Sequence, residues 1–529
     1  MRPCWHLRQG RAALLTAAIA AAGCGAEQAD LTGVMISDGA AASDIVTGID
    51  QAPAPDDSGP PGPIVTPDAG GGTVDTAISM PPPDGGTAPS DVPPQDSVTT
   101  PDRPGGILLP WPAAVAIVGA VKPPTFPNKT CALGDYGGNG DGVTDNTAAF
   151  AAAIAACSKA GGGHVTVPAG TFVTGAIALL DDIDLHIDAG TTLAFSGDET
   201  KYPLVLTRYQ GIELMNRSPL IYAFGRKNIA VTGAGVLDAA QTVSWNVTDD
   251  SAWTTLMGWG ADGTPVKQRV LPAGSRLRTS VVMPYQSQNV LIAGVSVKNS
   301  PFWQIHPTLS TNVTLQDVTT ASSGTEATGL VIESSNDVVL QNGSFVAGSD
   351  CVALKSGRDN DGRRVNVPTK NVVLIHVRCQ GAGGLLAVGS EETGGVQNIY
   401  ASDLATMGTG IDTVLFMKAT PTRGGVVSDL FLDAINASSL RGTFFVATLT
   451  WTGLTTGDFP ATFGPVSISH VTVDGAARVL DVEGLAVSLL GPFNISEATF
   501  TKIGQATSTV RFTKAVTYAG VTVNGVAVN

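Results

Sequence analysis

The sequence predicts an all-β protein built as a parallel β-helix, and three observations support this fold. Short β-rich runs separated by Gly, Asn, Asp and Ser fill the chain after residue 161. Asn followed by Val or Ile opens many of these runs, with Asn336-Asp337-Val338 as a variant, and successive spacings from Asn289 are 23, 24, 35 and 27 residues. A repeat near 24 residues is typical of stacked coils that bury a continuous interior. An Ala-rich helix precedes the runs and can cover the first coil.

The first 24 residues resemble an export signal. Arg2, Arg8 and Arg11 precede an apolar run, residues 12–22, that ends close to Cys24. This arrangement is similar to the signal of bacterial lipoproteins, whose Cys is acylated; a cleaved signal with an incidental Cys is the alternative. We therefore expect an outer-membrane or cell-surface lipoprotein anchored through its lipid, or otherwise a secreted protein.

Residues 25–106 differ in composition from the rest of the chain. They hold 13 acidic residues and one basic residue, together with 14 Pro, 13 Gly and no aromatic residue. Such a segment cannot bury enough apolar surface to offset the entropy of ordering it, so we predict a disordered, extended linker. Residues 107–529 are then predicted to form one β-helix domain, which we expect to be monomeric.

Composition excludes several classes of protein. The formal net charge is −15, which argues against a nucleic-acid-binding protein. No internal stretch of about 18 apolar residues exists, so a polytopic membrane protein is excluded. Four cysteines remain after the signal and linker; we favour a Cys131–Cys157 disulfide and leave Cys351–Cys379 open. Their spacing does not fit a zinc site, and we predict neither a metal nor a cofactor.

Two local patterns define the ends and turns of the predicted solenoid. Residues 145–161 have an Asx cap, an Ala-rich body and a Gly stop, which predicts the one long helix after the signal. The Asn residues that open successive runs are expected to form a ladder at one turn. Asn tolerates the left-handed backbone conformation and can bond to the coil above.

Several motifs resemble a known family. The stretches at 135–147 and 161–171 are similar to the opening of pectin-acting β-helix proteins. Residues 299–307, 356–364 and 389–391 resemble polygalacturonases of glycoside hydrolase family 28. The resemblance implies a right-handed parallel β-helix with a groove for pectic or related polysaccharide, and an inverting hydrolysis that uses paired carboxyl groups.

The family's active site has four motifs, and this chain departs from all of them. Asn-Thr-Asp is read as residues 326–328, Asp-Asp as 349–350, Gly-His-Gly as 381–383 and Arg-Ile-Lys as 416–418. The resemblance therefore retains Asp350 and Lys418. It places Thr328 and Ser349 where the family has catalytic Asp residues, Ala382 where it has His, and Phe416 where it has Arg. Few of the groups needed for hydrolysis remain.

Glu326 is the remaining acidic candidate near these motifs. Glu326 lies two residues before Thr328, so strand alternation places both side chains on one face, in the same groove as Asp350. We predict Asp350 and Glu326 as candidate catalytic residues, and Lys418, Thr328 and Ser349 as candidate substrate-binding residues. The alternatives for Glu326 are a solvated acid on a turn or a binding role.

The resemblance implies a polygalacturonase-like protein that acts on or binds pectic polysaccharide, with hydrolysis left open because most catalytic residues are replaced. The alternatives are a non-catalytic carbohydrate-binding protein and, third, a structural solenoid. Asp359 and Asp361 are expected in salt bridges with neighbouring Arg residues, and His306 in the hydrogen-bonded core. An insertion at residues 238–282 carries three Trp residues that either pack or stack on sugars; these are Trp245, Trp253 and Trp259.

Overall fold

The structure is a computed structural model and describes residues 109–381, 383–505 and 508–528. The predicted signal, the predicted linker and Ala382 lie outside the described residues. The helices, α1 to α4 in chain order, are Pro112–Ala120, Thr147–Lys159, Asp250–Asp262 and Asp359–Val365. Short 3₁₀ helices span Leu133–Tyr136, Glu199–Lys201, Ala240–Ser244 and Val266–Gln268.

The strands, β1 to β32 in chain order, are Thr130–Ala132, Asp141–Asp145, Gly163–Val167, Gly170–Thr174, Ile177–Ala178, Ile183–Ile187, Thr191–Phe195, Leu204–Tyr209, Ile212–Arg217, Ile221–Phe224, Lys227–Gly233, Val236–Asp238, Val282–Tyr285, Gln288–Ala293, Ser296–Lys298, Thr311–Ser322, Leu330–Glu333, Asn336–Ala347, Val352–Lys355, Thr369–Gly381, Gly384–Gly389, Val396–Thr406, Thr413–Lys418, Val426–Ser438, Thr443–Thr448, Thr462–Phe463, Val466–Ala476, Arg478–Glu483, Phe493–Ile503, Thr509–Arg511, Val516–Val523 and Val526–Val528.

These strands stack in parallel, coil upon coil. β16, β18, β20, β22 and β24 pair in register, so that Val313, Val338 and Val372 occupy equivalent positions in successive coils. On another side of the solenoid, β17, β19, β21, β23, β25, β28 and β30 form a parallel sheet, called the front sheet below. The inward side chains of both sheets join one apolar core. The prediction of an all-β, right-handed parallel β-helix with an N-terminal capping helix is confirmed.

The Asn ladder forms as expected. Asn289, Asn312, Asn371 and Asn398 have φ values of 57°, 53°, 55° and 56°, all in the left-handed region. The side-chain amide of Asn312 donates to Oδ1 of Asn289 at 2.8 Å, and the amide of Asn398 donates to Asn371 at 3.1 Å. The coil between Asn312 and Asn371 places Asp337 in the ladder, where it accepts from Asn371. Each amide therefore links one coil to the next.

Helix α2 covers the first coil. Ala149, Phe150 and Ile154 are buried on its inner face and belong to the same core as the strands. Oδ1 of Asp145 accepts hydrogen bonds from the backbone and hydroxyl of Thr147, where the helix begins. Because this face closes the apolar interior, the helix performs the capping role that its sequence predicts.

The 238–282 insertion contains a second long helix that sequence analysis did not predict. Helix α3 is 13 residues long, as is α2, but its Thr, Trp and Gly residues favour helix weakly. Ala252, Leu256 and Gly260 are buried on one face of α3, and Gly263 ends it in a left-handed conformation. Tertiary packing therefore stabilises a helix that local propensity does not indicate.

Two disulfides join neighbouring segments of the solenoid. Cys131 pairs with Cys157, as favoured from the sequence, and this bond ties the capping helix to β1. Cys351 also pairs with Cys379, which resolves the pairing left open above. Among the described residues, no helix is long and apolar enough to cross a membrane.

Candidate functional site

The outward face of the front sheet carries two rows of side chains. Strand register aligns residues of successive coils, and alternation turns every second side chain outward. The first row, called the apolar row, is Val331, Ala353, Ala387 and Phe416. The second row, called the polar row, is Glu333, Lys355, Gly389 and Lys418. Phe416 and Lys418 are partly exposed, whereas the other members of both rows are buried, so a ligand can reach the rows only at Phe416 and Lys418.

Asp350 lies at the edge of these rows, just before β19. It is buried, with 4% of its surface exposed. Its Oδ1 accepts a hydrogen bond from the backbone N–H of Gly384 at 2.8 Å, and its Oδ2 pairs with Nζ of Lys418 at 3.2 Å. A Cβ at Gly383 would lie 2.5 Å from Oδ1, so that glycine leaves room for the carboxylate. The structure thus brings together the two retained motif residues.

The other motif positions supply no carboxyl group. Ser349 is partly exposed beside Asp350, and Thr328 is buried with 3% of its surface exposed. The backbone carbonyl of Thr328 accepts from the N–H of Gln304 at 3.0 Å, which ties this residue into the coil. Their roles in binding substrate stay predictions.

Glu326 lies on a turn, and not on a strand as the alternation argument required. β17 begins only at Leu330, so strand periodicity does not govern the preceding residues. Glu326 is nevertheless half-buried, and its Oε2 lies 3.5 Å from the amide nitrogen of Gln210. Burial raises the pKa of Glu326, and the positive charges of Arg278, Lys355 and Lys418 oppose that rise. Glu326 therefore lies within electrostatic reach of the polar row.

Sequence analysis missed Arg278, which no motif marks. Arg278 is partly exposed beside Glu326, and it acts electrostatically on both Glu326 and Tyr209. In the described part of the chain, its Nε atom is buried without a hydrogen-bond partner. Because the residue is partly exposed, its guanidinium group can bind a carboxylate.

Lys355 and Glu391 form a buried ion pair at the centre of the polar row. Nζ of Lys355 lies 2.5 Å from Oε2 of Glu391 and 2.9 Å from the carbonyl of Gly389. Arg358 approaches the other oxygen of Glu391 at 3.5 Å. These cations outweigh burial and lower the pKa of Glu391 to about 2. Sequence analysis gave Glu391 no role; an acidic residue close to the end of a buried strand, β21, was the available signal.

Aromatic side chains flank the site at both ends. Phe416 meets Trp451 edge to face, with ring centroids 5.1 Å apart. At the other end, Trp253 of α3 lies under the guanidinium of Arg358 at 5.0 Å and against Tyr209 at 6.0 Å. Trp245 is buried against Tyr202, so it packs. Trp259, which is also on α3, is partly buried and packs against the apolar cluster that contains Ala252 and Leu256.

The remaining candidates are structural, as expected. Asp361 pairs with the neighbouring Arg364 at 3.2 Å, and Asp359 pairs with the neighbouring Arg358 at 3.5 Å. His306 is fully buried, and its Nε2 lies 2.9 Å from Glu333. Within the described ranges, no group of three or more His, Cys, Asp or Glu side chains is placed to hold a metal ion.

Comparison with known proteins agrees with the β-helix fold. The sequence model of the family described as "Glycosyl hydrolases family 28" matches residues 157–441. A solved structure titled as a hyperthermoactive exopolygalacturonase from Thermotoga maritima is 32% identical, with a TM-score of 0.74. The match covers 78% of this chain and 96% of that one.

Two curated relatives are more distant. A probable polygalacturonase of Vitis vinifera is 26% identical over 60% of this chain, and an exo-poly-α-D-galacturonosidase of Dickeya chrysanthemi is 25% identical over 67%. The matches span 62% and 64% of the length of these relatives, a little under two thirds.

Proposed function

The chain belongs to glycosyl hydrolase family 28, and from this we propose that it binds galacturonic-acid-containing polysaccharide along the front sheet without hydrolysing it. One observation carries the proposal: both oxygens of Asp350 are engaged, by Gly384 and by Lys418. The positions that would supply its catalytic partners hold Ser349 and Thr328.

Inverting hydrolysis needs an acid that protonates the leaving oxygen and a base that activates water. A serine hydroxyl at position 349 cannot deliver a proton at neutral pH as a carboxylic acid can. Removing several groups that act together eliminates most of an enzyme's rate advantage, even when one group is kept. The polysaccharide would therefore bind and dissociate intact.

Arg278 supports binding of an acidic sugar. Its guanidinium is partly exposed and has no carboxylate of the described residues within salt-bridge distance, whereas Lys355 and Lys418 are each paired with a carboxylate. A sugar carboxylate at Arg278 would complete a charge-assisted hydrogen bond. Ser349 and Lys418 would contact neighbouring hydroxyl groups.

A second candidate function is slow hydrolysis with Glu326 as acid and Asp350 as base. The raised pKa of Glu326 favours it, because burial shifts this carboxyl group toward the protonated form that a general acid needs. Unlike the first candidate, this one predicts that cleavage of the polysaccharide creates new reducing ends.

The test measures binding and cleavage together on the full chain. Free-acid oligogalacturonides are titrated calorimetrically, and reducing ends are counted in the same samples. We expect binding without new ends, and Arg278→Leu should weaken binding by roughly tenfold or more. Lys502→Leu is the matched control, because Lys502 lies on β29, outside the front sheet, and is 75% exposed.

Cleavage that disappears in both Glu326→Gln and Asp350→Asn would establish the second candidate in place of the first. No binding to any pectic oligosaccharide would refute both.

We also propose that the protein is exported, monomeric and tethered through acylated Cys24. The signal-like residues 1–24 and the acidic, Pro-rich composition of residues 25–106 support this placement. Radiolabelled palmitate should enter the wild-type protein and not Cys24→Ser when both are expressed in a lipoprotein-processing bacterium.

A further inference from the structure

The aromatic pair at the end of the apolar row is exposed enough to meet a ligand. Trp451 keeps 43% of its surface exposed, whereas Phe416 is partly buried beneath it. Trp451 is held in place by a hydrogen bond from its backbone N–H to the carbonyl of Ala419 at 3.0 Å. An exposed Trp on a fixed backbone offers an apolar ring face to solvent.

Charges beside this pair cancel. Nζ of Lys418 lies 4.4 Å from the Phe416 ring centroid and 5.3 Å from that of Trp451. The same ammonium pairs with Asp350, and both side chains are largely buried. The cation is therefore neutralised by its partner and partly covered by the rings. A ligand that reaches the aromatic pair meets no uncompensated positive charge there.

The rows around the pair are also apolar or uncharged. Phe416 aligns with Ala387 on one neighbouring strand and with Val446 on the other. Next to Lys418, the following strand places Thr448 in register. The in-register neighbours of Phe416 and Lys418 on the following strand therefore carry no charge.

We propose that Phe416 and Trp451 form a subsite for an uncharged pyranose ring of a pectic chain. The inference rests on the proposed binding function and specifies its ligand. The ring would be a methyl-esterified galacturonate or a neutral sugar, since both present C–H groups to an aromatic face. A free carboxylate would lose hydration there without gaining a partner, because Lys418 is already paired with Asp350. The preferred ligand is therefore a chain that combines free acid groups with uncharged units.

The experiment compares three oligomers of equal length on the full chain. They are free-acid oligogalacturonide, partly methyl-esterified oligogalacturonide and neutral galactan, each titrated calorimetrically. We expect the partly methyl-esterified oligomer, the neutral oligomer or both to bind roughly 5- to 10-fold more tightly than the free-acid oligomer. The esterified and neutral arms distinguish the two sources of an uncharged ring.

Variants test whether the preference for uncharged sugar units depends on Trp451. Trp451→Ala should abolish this preference, and Trp451→Phe should retain most of it, because an aromatic ring face remains. Phe512→Ala is the matched control, since Phe512 is similarly exposed, at 49%, on the last coils. Thermal melting of each variant shows whether it folds.

Three results would overturn the inference: equal binding of all oligomers, tighter binding of the free acid, or a preference that survives in folded Trp451→Ala. In each of these cases the oligomers still bind, so the proposed function stands. Failure of every oligomer to bind refutes both proposals.

Discussion

The buried Lys355–Glu391 pair gives the sharpest test of how the polar row is built. The side chains are 8% and 6% exposed, so little solvent screens them. Lys355→Met would leave Glu391 buried with Arg358 at 3.5 Å as its nearest remaining cation. Breaking a buried pair by removing one partner costs about 3–5 kcal/mol, because the remaining charge stays desolvated.

This loss converts into a measurable shift in melting temperature. Unfolding entropy is about 2.1 cal/mol/K per residue, or near 0.9 kcal/mol/K for the roughly 420 described residues. A loss of 3–5 kcal/mol should therefore lower Tm by about 3–6 °C, read by calorimetry or circular dichroism. Lys502→Met is the matched control: Lys502 pairs with Asp474 at 2.8 Å but is 75% exposed, so its Tm should not change.

A double-mutant cycle isolates the pair itself. Lys355→Met combined with Glu391→Gln removes both charges, so the double variant should be more stable than the sum of the single losses by roughly 2 kcal/mol or more. Additive losses would refute the view that the two charges depend on each other.

Acid pH provides a second check on the same pair. In the native protein the pKa of Glu391 is held at about 2, below its ordinary value of 4.5. Its stabilising contribution is therefore complete above pH 4.5 and is lost as the pH falls toward 2. In Lys355→Met the pKa of Glu391 rises, so its carboxyl group takes up a proton at a higher pH than in the native protein. The difference in Tm between Lys355→Met and the native protein should therefore become smaller as the pH falls from 4.5 toward 2. A constant difference would contradict a stabilising Lys355–Glu391 ion pair.

Three further predictions test the solenoid and the site. Replacing Cys351 and Cys379 by Ser opens a loop of 28 residues and should lower the free energy of unfolding by roughly 3–4 kcal/mol in urea titrations. Asn312→Ala should be less stable than Asn312→Gly by about 1 kcal/mol, because φ is 53° there; equal stability would contradict this reason. Affinity for free-acid oligogalacturonide should fall as the pH rises through the raised pKa of Glu326, because the carboxyl then becomes negative. Glu326→Gln should bind independently of pH over that range in the same calorimetric titrations.

Much of the fold could be predicted because it depends on short, repeated sequence features. Asn289 and Asn312 mark equivalent turns, since both lie where the backbone turns left-handed and both bond to the neighbouring coil. The Ala-rich helix α2 could be predicted from propensity and caps. Helix α3 could not, since burial of Leu256 and its neighbours outweighs a sequence that favours helix weakly.

The candidate site was predicted less completely. Asp350 and Lys418 are 68 residues apart, yet motif resemblance brought them together, and the structure pairs them at 3.2 Å. The alternation argument for Glu326 was wrong, because a turn interrupts the period of two before β17. Arg278 and Trp451 carry no motif, and only the stacking of coils places them beside the site.

The amino-acid sequence alone determined the repeat, the turn ladder, the cap and the loss of acidic motif residues, because each is a local pattern or a residue identity. The tertiary structure decided which charged groups are paired and which have an atom without a partner. Asp350, Lys355 and Lys418 have their partners within 3.2 Å, whereas Nε of Arg278 has none among the described residues. That difference depends on distances between side chains of different coils, and strand register and burial set those distances.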